Sequence, residues 1–174
     1  MACTLTTGRK LPCKSAVGGL KTVYFADFGT LGATTIASGE LTAIAGTPAL
    51  FQFDIKGNSS LETAINSSRE NGTTFYETTL NLTLTFLEKA TQEELKLIAH
   101  ARPHVFVEDY NGNYFVVGLE HGAEVTGGSI VSGAAMGDLS GFTLTMVAQE
   151  TAPPYFVTSS VVTGNASAIQ ITPN

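Results

Sequence analysis

The stretch TTFYETTLNLTLTFLE, residues 73–88, restricts the fold more than any other part of the chain. Its apolar residues recur at alternate positions: Tyr76, Leu80, Leu82, Leu84 and Phe86, with Thr78 among them. Glu77, Thr79, Asn81, Thr83 and Thr85 fill the positions between. Successive side chains of a strand point to opposite faces, so a period of two sorts these residues into one apolar and one polar face. A helix would scatter the same leucines around its axis. The run therefore predicts a half-buried strand. At about 3.3 Å per residue it would span ~45 Å, against a usual strand length of roughly 17–20 Å.

Upstream, LFQFDIK puts Phe51, Phe53 and Ile55 on one face, and the turn segment NSSRENGT carries Asn71-Gly72. Residues 50–87 are accordingly expected to form one long β-hairpin, bent or bulged at Gly57-Asn58. A hairpin of that length overreaches a compact monomer. Something must cover it, and neighbouring copies of the chain are the expected cover. Composition supports this, because only 14% of residues are charged while 43% are hydrophobic, and typical domains are about a quarter charged. A weakly charged exterior suits a surface occupied by other chains.

At 174 residues the chain is expected to be one domain, 1–174. The segment 1–20 carries Gly8, Pro12, Gly18 and Gly19 without any sustained period and is read as an irregular N-terminal arm. Strands are expected at KTVYFADF, in short pieces split by Gly39 and Gly46, and again at HVFVEDY, YFVVGLE, SGFTLTMVAQE and YFVTSSVVTGNASAIQIT. The last of these is read as a hairpin turning at Gly164-Asn165. One helix is expected over 91–101, with Thr91 and Glu94 as a capping box, a stripe of Leu95, Ile98 and Ala99 joined by Leu97, and Pro103 as terminator. The fold class is then mainly β: an antiparallel β-sandwich or barrel with one flanking α-helix and a long β-hairpin.

Motifs for chemistry are weak. In VEDYNGNYFVVGLE, Asp109, Asn111, Asn113 and Glu120 imitate a calcium loop, but Tyr114 stands where such a loop needs glycine. Asn111-Gly112 between two apolar runs instead predicts a hairpin with a type I′ turn. His100 and His104 have zinc-like spacing, yet Pro103 lies between them, so a helix-end histidine is the better reading. His121 is expected in a loop. GGSIVSG lacks the nucleophile-elbow spacing, and GTLGATTIASGE has no lysine after its glycines. No enzyme, metal or cofactor is expected. Cys3 and Cys13 are read as reduced thiols, with a local disulfide the alternative. The net charge of −6 disfavours tight nucleic-acid binding. No stretch approaches the roughly 18 apolar residues of a membrane helix, and no membrane association is expected.

LTTGRKLPCKSAVGGLKTVYF resembles the opening of virion structural proteins of tailed bacteriophages. VFVEDYNGNYFVVGLEHGAEVTGGSIVSGAAMGDLSGFTLTMVAQETAPP is similar to the later half of their tail tube proteins, with a Gly-x-x-x-Gly-Asp stretch and a following strand at Gly133–Met146. The resemblance implies a β-sandwich or barrel whose hexameric rings stack into a tube, with a long hairpin from each subunit lining the inner barrel. It also implies a neutral or acidic lumen through which DNA passes without sequence-specific binding, in a virion assembled in the host cytoplasm. Glu62, Asn66, Glu77, Thr79, Asn81 and Thr83 become the lumen-facing candidates. Arg69, Lys10, Lys14 and Lys21 become candidates for contacts between subunits or rings, and the arm would reach the adjacent ring. Implied partners are further copies of the chain, a tail sheath if the tail contracts, and tape-measure and tail completion proteins. Two other readings stay open: a capsid decoration or baseplate module, and a carbohydrate-binding sandwich, which the absence of Trp disfavours.

Overall fold

The structure, a computed structural model, describes residues 7–10, 13–55 and 58–167. Among the described residues, twelve strands form two sheets packed face to face, accompanied by two helices. The strands are β1 (Leu20–Ala26), β2 (Thr34–Ala37), β3 (Glu40–Ile44), β4 (Leu50–Asp54), β5 (Ser60–Ser68), β6 (Thr73–Thr85), β7 (His104–Asp109), β8 (Tyr114–Val117), β9 (Glu124–Val131), β10 (Gly141–Glu150), β11 (Tyr155–Val157) and β12 (Ala166–Ser167). Helix α1 (Lys89–His100) follows β6, and α2 (Ser159–Thr163) follows β11. Sheet A has the order β12-β4-β1-β7-β8-β11-β3-β2, and sheet B the order β5-β6-β10-β9. The architecture is a sandwich, not a closed barrel.

Two apolar clusters hold the layers. Between the sheets, Leu80, Leu82 and Leu84 of β6 meet Phe142, Leu144 and Met146 of β10, with Val23, Phe25, Phe53, Val105 and Val107 opposing them from sheet A. Helix α1 contributes Leu95 and Ile98 to this core. On the other face of sheet A, Tyr24, Leu41, Leu50, Phe106, Val116 and Val157 surround Val161 and Val162 of α2. Strand β1 is therefore buried on both faces except at Lys21, as a strand between two cores must be.

The 50–87 segment departs from expectation in one respect. Its hairpin is β5–β6, running from Ser60 to Thr85, while β4 leaves it and pairs antiparallel with β1 in sheet A. Phe51, Phe53 and Ile55 do share a face, toward the inter-sheet core. They reach that core from the opposite wall, which sequence periodicity cannot distinguish. Gly57, half of the expected bend, lies outside the described residues.

The N-cap of helix α1 lies three residues, nearly a full turn, before the expected capping box. Glu88 takes the N-cap position without a side-chain cap, and Thr91 joins Leu95 and Ile98 in the buried stripe. Leu97 and Ala99, expected in that stripe, face water. The expected strand hairpin beyond Tyr155 is instead a short strand, α2 and the two-residue β12. Val161 and Val162 are both buried. Neighbouring residues can both reach a single core from a helix, not from a half-buried strand.

Phe86 also departs from the alternation. It is 73% exposed, has φ of +80°, and ends the strand with its N–H donating to the Ser140 carbonyl at 2.8 Å. At the β7–β8 turn, Gly112 has φ of +80° while Asn111 stays at negative φ, so the turn is not type I′. The Gly112 N–H donates to the Asp109 carbonyl and the Asp109 N–H to the Asn113 carbonyl, which makes a type I turn closed by a glycine bulge. The Asp109 carboxylate selects this geometry by accepting the N–H groups of Asn111 at 2.9 Å and Asn113 at 2.8 Å.

Candidate functional site

The outer face of sheet B is the surface on which the residues singled out from sequence converge. Register pairs Glu62 with Thr79, Ala64 with Glu77, Asn66 with Phe75, and Ser60 with Asn81. Directly paired residues share a face, so Glu62, Asn66, Glu77, Thr79, Asn81 and Thr83 all lie on one surface. Strand β10 extends it with Thr143, Thr145, Val147 and Gln149 opposite Thr83, Asn81, Thr79 and Glu77. Strand β9 adds Ser129 and Glu124. These last two strands contribute half the face, yet only β10 was anticipated. The EVTGGSIV of β9 escaped because its two adjacent glycines and exposed pattern carry no period of two.

Side chains tie this face together. Thr145 Oγ1 donates to Asn81 Oδ1 at 3.0 Å, Gln149 Nε2 to Glu77 Oε2 at 2.7 Å, and Ser129 and Thr143 share a hydroxyl hydrogen bond of 2.6 Å. Thr83 is held by its own edge, with Oγ1 donating to the Asn58 carbonyl at 3.0 Å. The face carries three glutamates, Glu62, Glu77 and Glu124, while Glu150, paired with Tyr76, belongs to the other face; the four strands contain neither Lys nor Arg. The resulting surface is rich in hydroxyls and carries only negative formal charge.

Among the described residues, both edges of sheet B lack a strand partner, because β5 and β9 end the order. Strand β5 has nine residues with no Pro or Lys to block pairing. Open edges of this kind recruit other strands unless protected. Between β5 and sheet A lies a groove of about 550 Å³, lined among others by Leu20, Leu61, Phe115, Pro153 and Pro154.

The basic candidates do not gather. Arg69 sits exposed in the hairpin turn, Lys10 and Lys14 are exposed on the arm, and Lys21 pairs with Glu108 at 2.9 Å. That hydrogen bond raises the Lys21 pKa and commits Lys21 to a contact within its own chain. The described end of the arm is fastened to the β7–β8 turn. Asn111 Nδ2 donates to the Val17 carbonyl at 2.8 Å, and its Oδ1 accepts the Val17 N–H at 2.9 Å. Cys13 is exposed and unpaired among the described residues, and Cys3 lies outside them.

His104 differs from its sequence reading. It begins β7 rather than capping the helix and is 3% exposed. Nδ1 lies 2.6 Å from the Gly118 carbonyl, and Nε2 accepts the Gly29 N–H at 3.0 Å. This fixes the neutral tautomer protonated on Nδ1. Burial pushes its pKa below the ordinary value, although the Gly118 carbonyl and the Glu150 charge oppose that shift. The ring stacks on Phe28 at 5.0 Å, and Arg102 covers Phe28 at 4.8 Å. His104 is thus a structural rivet between two loops. His100 does stand in the last turn of α1, and His121 in a loop.

Among the described residues, no three His, Cys, Asp or Glu side chains gather where they would hold a metal ion, and no helix is long and apolar enough to cross a membrane. No protein-family model and no curated protein matches the chain.

Proposed function

We propose that the chain is a virion structural protein whose rings stack into the tube of a phage tail, with the outer face of sheet B lining the bore. One observation carries the reading: a four-stranded antiparallel sheet whose exposed face is largely polar despite Phe75 and Val147, whose strands hold no Lys or Arg, and whose two edges are open among the described residues. Four alternating strands leave β5 and β9 running in opposite directions. Rotation about a ring axis preserves strand direction, so β9 of one copy meets β5 of the next antiparallel. The sheet then continues around the ring with every inner edge paired.

Ring size follows from strand spacing. Six copies of four strands give about 24 strands; at ~4.8 Å spacing and ~40° tilt the backbone radius is roughly 24 Å. Allowing about 5 Å for side chains leaves a bore of roughly 38 Å, which admits a duplex about 20 Å across. Three copies would leave only ~14 Å by the same arithmetic. A wall of hydroxyls and carboxylates gives phosphates no cation to pair with, so DNA passes without adhering. Tape-measure and completion proteins, and a sheath if the tail contracts, are the further partners of this role.

The test is negative-stain electron microscopy of the purified protein across a concentration series. Rings with a central hole, or hollow tubes of uniform width, are expected. Monomers or trimers alone, at every concentration and also in the presence of tail initiation proteins, would refute the tube and favour a decoration or baseplate role. Within tubes, Glu62→Lys and Glu77→Lys together should preserve assembly and make the bore retain DNA at low salt.

A further inference from the structure

Resting on the tube reading, we infer that successive rings join head to tail through two exposed patches at opposite ends of sheet B: the overhanging β5–β6 tip of one copy and the Phe86, Leu87 and Met136 patch of the next. The tip overhangs because β10 pairs with β6 only as far as Tyr76, opposite Glu150. Residues 66–68 and 73–75 therefore form a two-stranded ribbon that extends about 10 Å beyond its neighbours before the turn. Ile65, at its root, is 68% exposed on one face of the ribbon, and Phe75, on the other face beside Asn66, is 39% exposed. Arg69 and Glu70 occupy the turn.

At the other end, Thr85 of β6 pairs with Gly141 of β10, and the β9–β10 loop connects Val131 to Gly141 beside it. Phe86 is 73%, Leu87 40% and Met136 fully exposed. The loop presenting Met136 is rigidly built, since Asp138 Oδ2 accepts the N–H groups of Ala134 at 2.9 Å and Ala135 at 2.7 Å. Those bonds use one carboxylate oxygen of the exposed Asp138 and leave Oδ1 to meet an incoming cation. Arg69, at the opposite end of the sheet, makes no ion pair among the described residues. Tip Arg69, beside Glu70 in the turn, supplies the cation that base Asp138 can meet, and both ends present exposed apolar groups.

A second copy is the occupant the geometry selects. Two complementary patches at opposite ends of one sheet are brought together by translation along the strands, not by a two-fold axis. Such a heterologous contact that does not close propagates as a filament. A two-fold contact would instead pair tip with tip and stop at two rings.

The experiment uses two variants of the full chain. Ile65→Gln with Arg69→Glu disables the tip, and Phe86→Gly with Met136→Gln disables the base. All four positions are exposed, and glycine suits the positive φ at position 86. Each variant alone should keep wild-type circular dichroism and form rings, with at least a tenfold loss of stacked particles by sedimentation and electron microscopy. Preformed rings of the two variants, mixed, should form double rings, since the mixture offers one intact tip and one intact base. Tubes from either variant at wild-type yield, or mixtures that stay single rings, overturn the joint while leaving the tube reading intact. A wild-type protein that forms no rings overturns the tube reading, and this inference with it.

Discussion

Replacing Leu82 by Ala tests the face assignment on which both functional readings stand. Leu82 is 2% exposed and lies opposite Leu144 of β10. The substitution removes three carbons from the inter-sheet core, worth ~2.4 kcal/mol at about 0.8 kcal/mol per methylene. A residual cavity of roughly 60 Å³ adds ~1.4 kcal/mol at about 24 cal/mol per Å³. The expected loss is about 4 kcal/mol, within the roughly 2–5 kcal/mol range for buried leucines. Asn81→Ala, one residue away on the water face, loses an exposed hydrogen bond from Thr145 and some strand propensity, about 0.5–1 kcal/mol in all. With a urea slope of about 2 kcal/mol/M, the midpoint should fall by ~2 M for Leu82→Ala and by under about 0.5 M for Asn81→Ala. The assay is equilibrium urea unfolding followed by circular dichroism, diluted so that association adds nothing to apparent stability. Two variants within about 1 kcal/mol of each other would refute the division of β6 into a core face and a water face.

Three further outcomes follow from local geometry. Gly141→Ala would bring its Cβ within 2.0 Å of the Leu84 carbonyl oxygen, so β6 and β10 must separate there; a loss of about 2–4 kcal/mol is expected by thermal unfolding, and an unchanged midpoint would contradict the pairing. His104 has a lowered pKa in the folded chain, so its contribution is complete above the ordinary value of about 6.5 and declines as pH falls toward the folded value. NMR titration of its ring protons should place that folded value below 6.5, and His104→Gln should flatten the decline in stability. Burial would raise the Asp109 pKa, but hydrogen bonds from Asn113 and Asn111 outweigh it and hold the group below its ordinary value. Asp109→Ala should therefore cost about 1–2 kcal/mol at neutral pH, with the difference from wild type disappearing in urea titrations as pH falls through the lowered folded value.

Much of the fold was legible wherever a strand has one wet and one dry face. β6 shows its alternation because Leu80, Leu82 and Leu84 are buried while Asn81 is exposed, and that contrast is written in residue type. The six bore candidates sit on one face for the same reason. Strand β9 was hidden because only Val125 and Val131 are half-buried while the rest, Ile130 among them, are exposed, so little contrast exists to be seen. α2 was misjudged because a five-residue helix inside a core needs only apolar residues, and SSVVT reads equally well as a strand.

Turn chemistry was partly legible. Asn111-Gly112 does mark the β7–β8 reversal, but the turn type was decided by the Asp109 carboxylate capturing the N–H groups of Asn111 and Asn113. A dipeptide rule omits that competing acceptor.

The sequence by itself determined that this chain is mainly β, that β6 has a polar and an apolar face, and that its polar strands carry no cation. These are local properties, set by backbone sterics and by the alternation of side chains along a strand. Only the tertiary structure decided that β4 belongs to the opposite wall, that β5 and β9 are the open edges, and that His104 is buried between two loops. Each of these depends on which distant segment pairs with which. Pairing is selected by the burial of the whole core at once, and a one-dimensional pattern does not contain it.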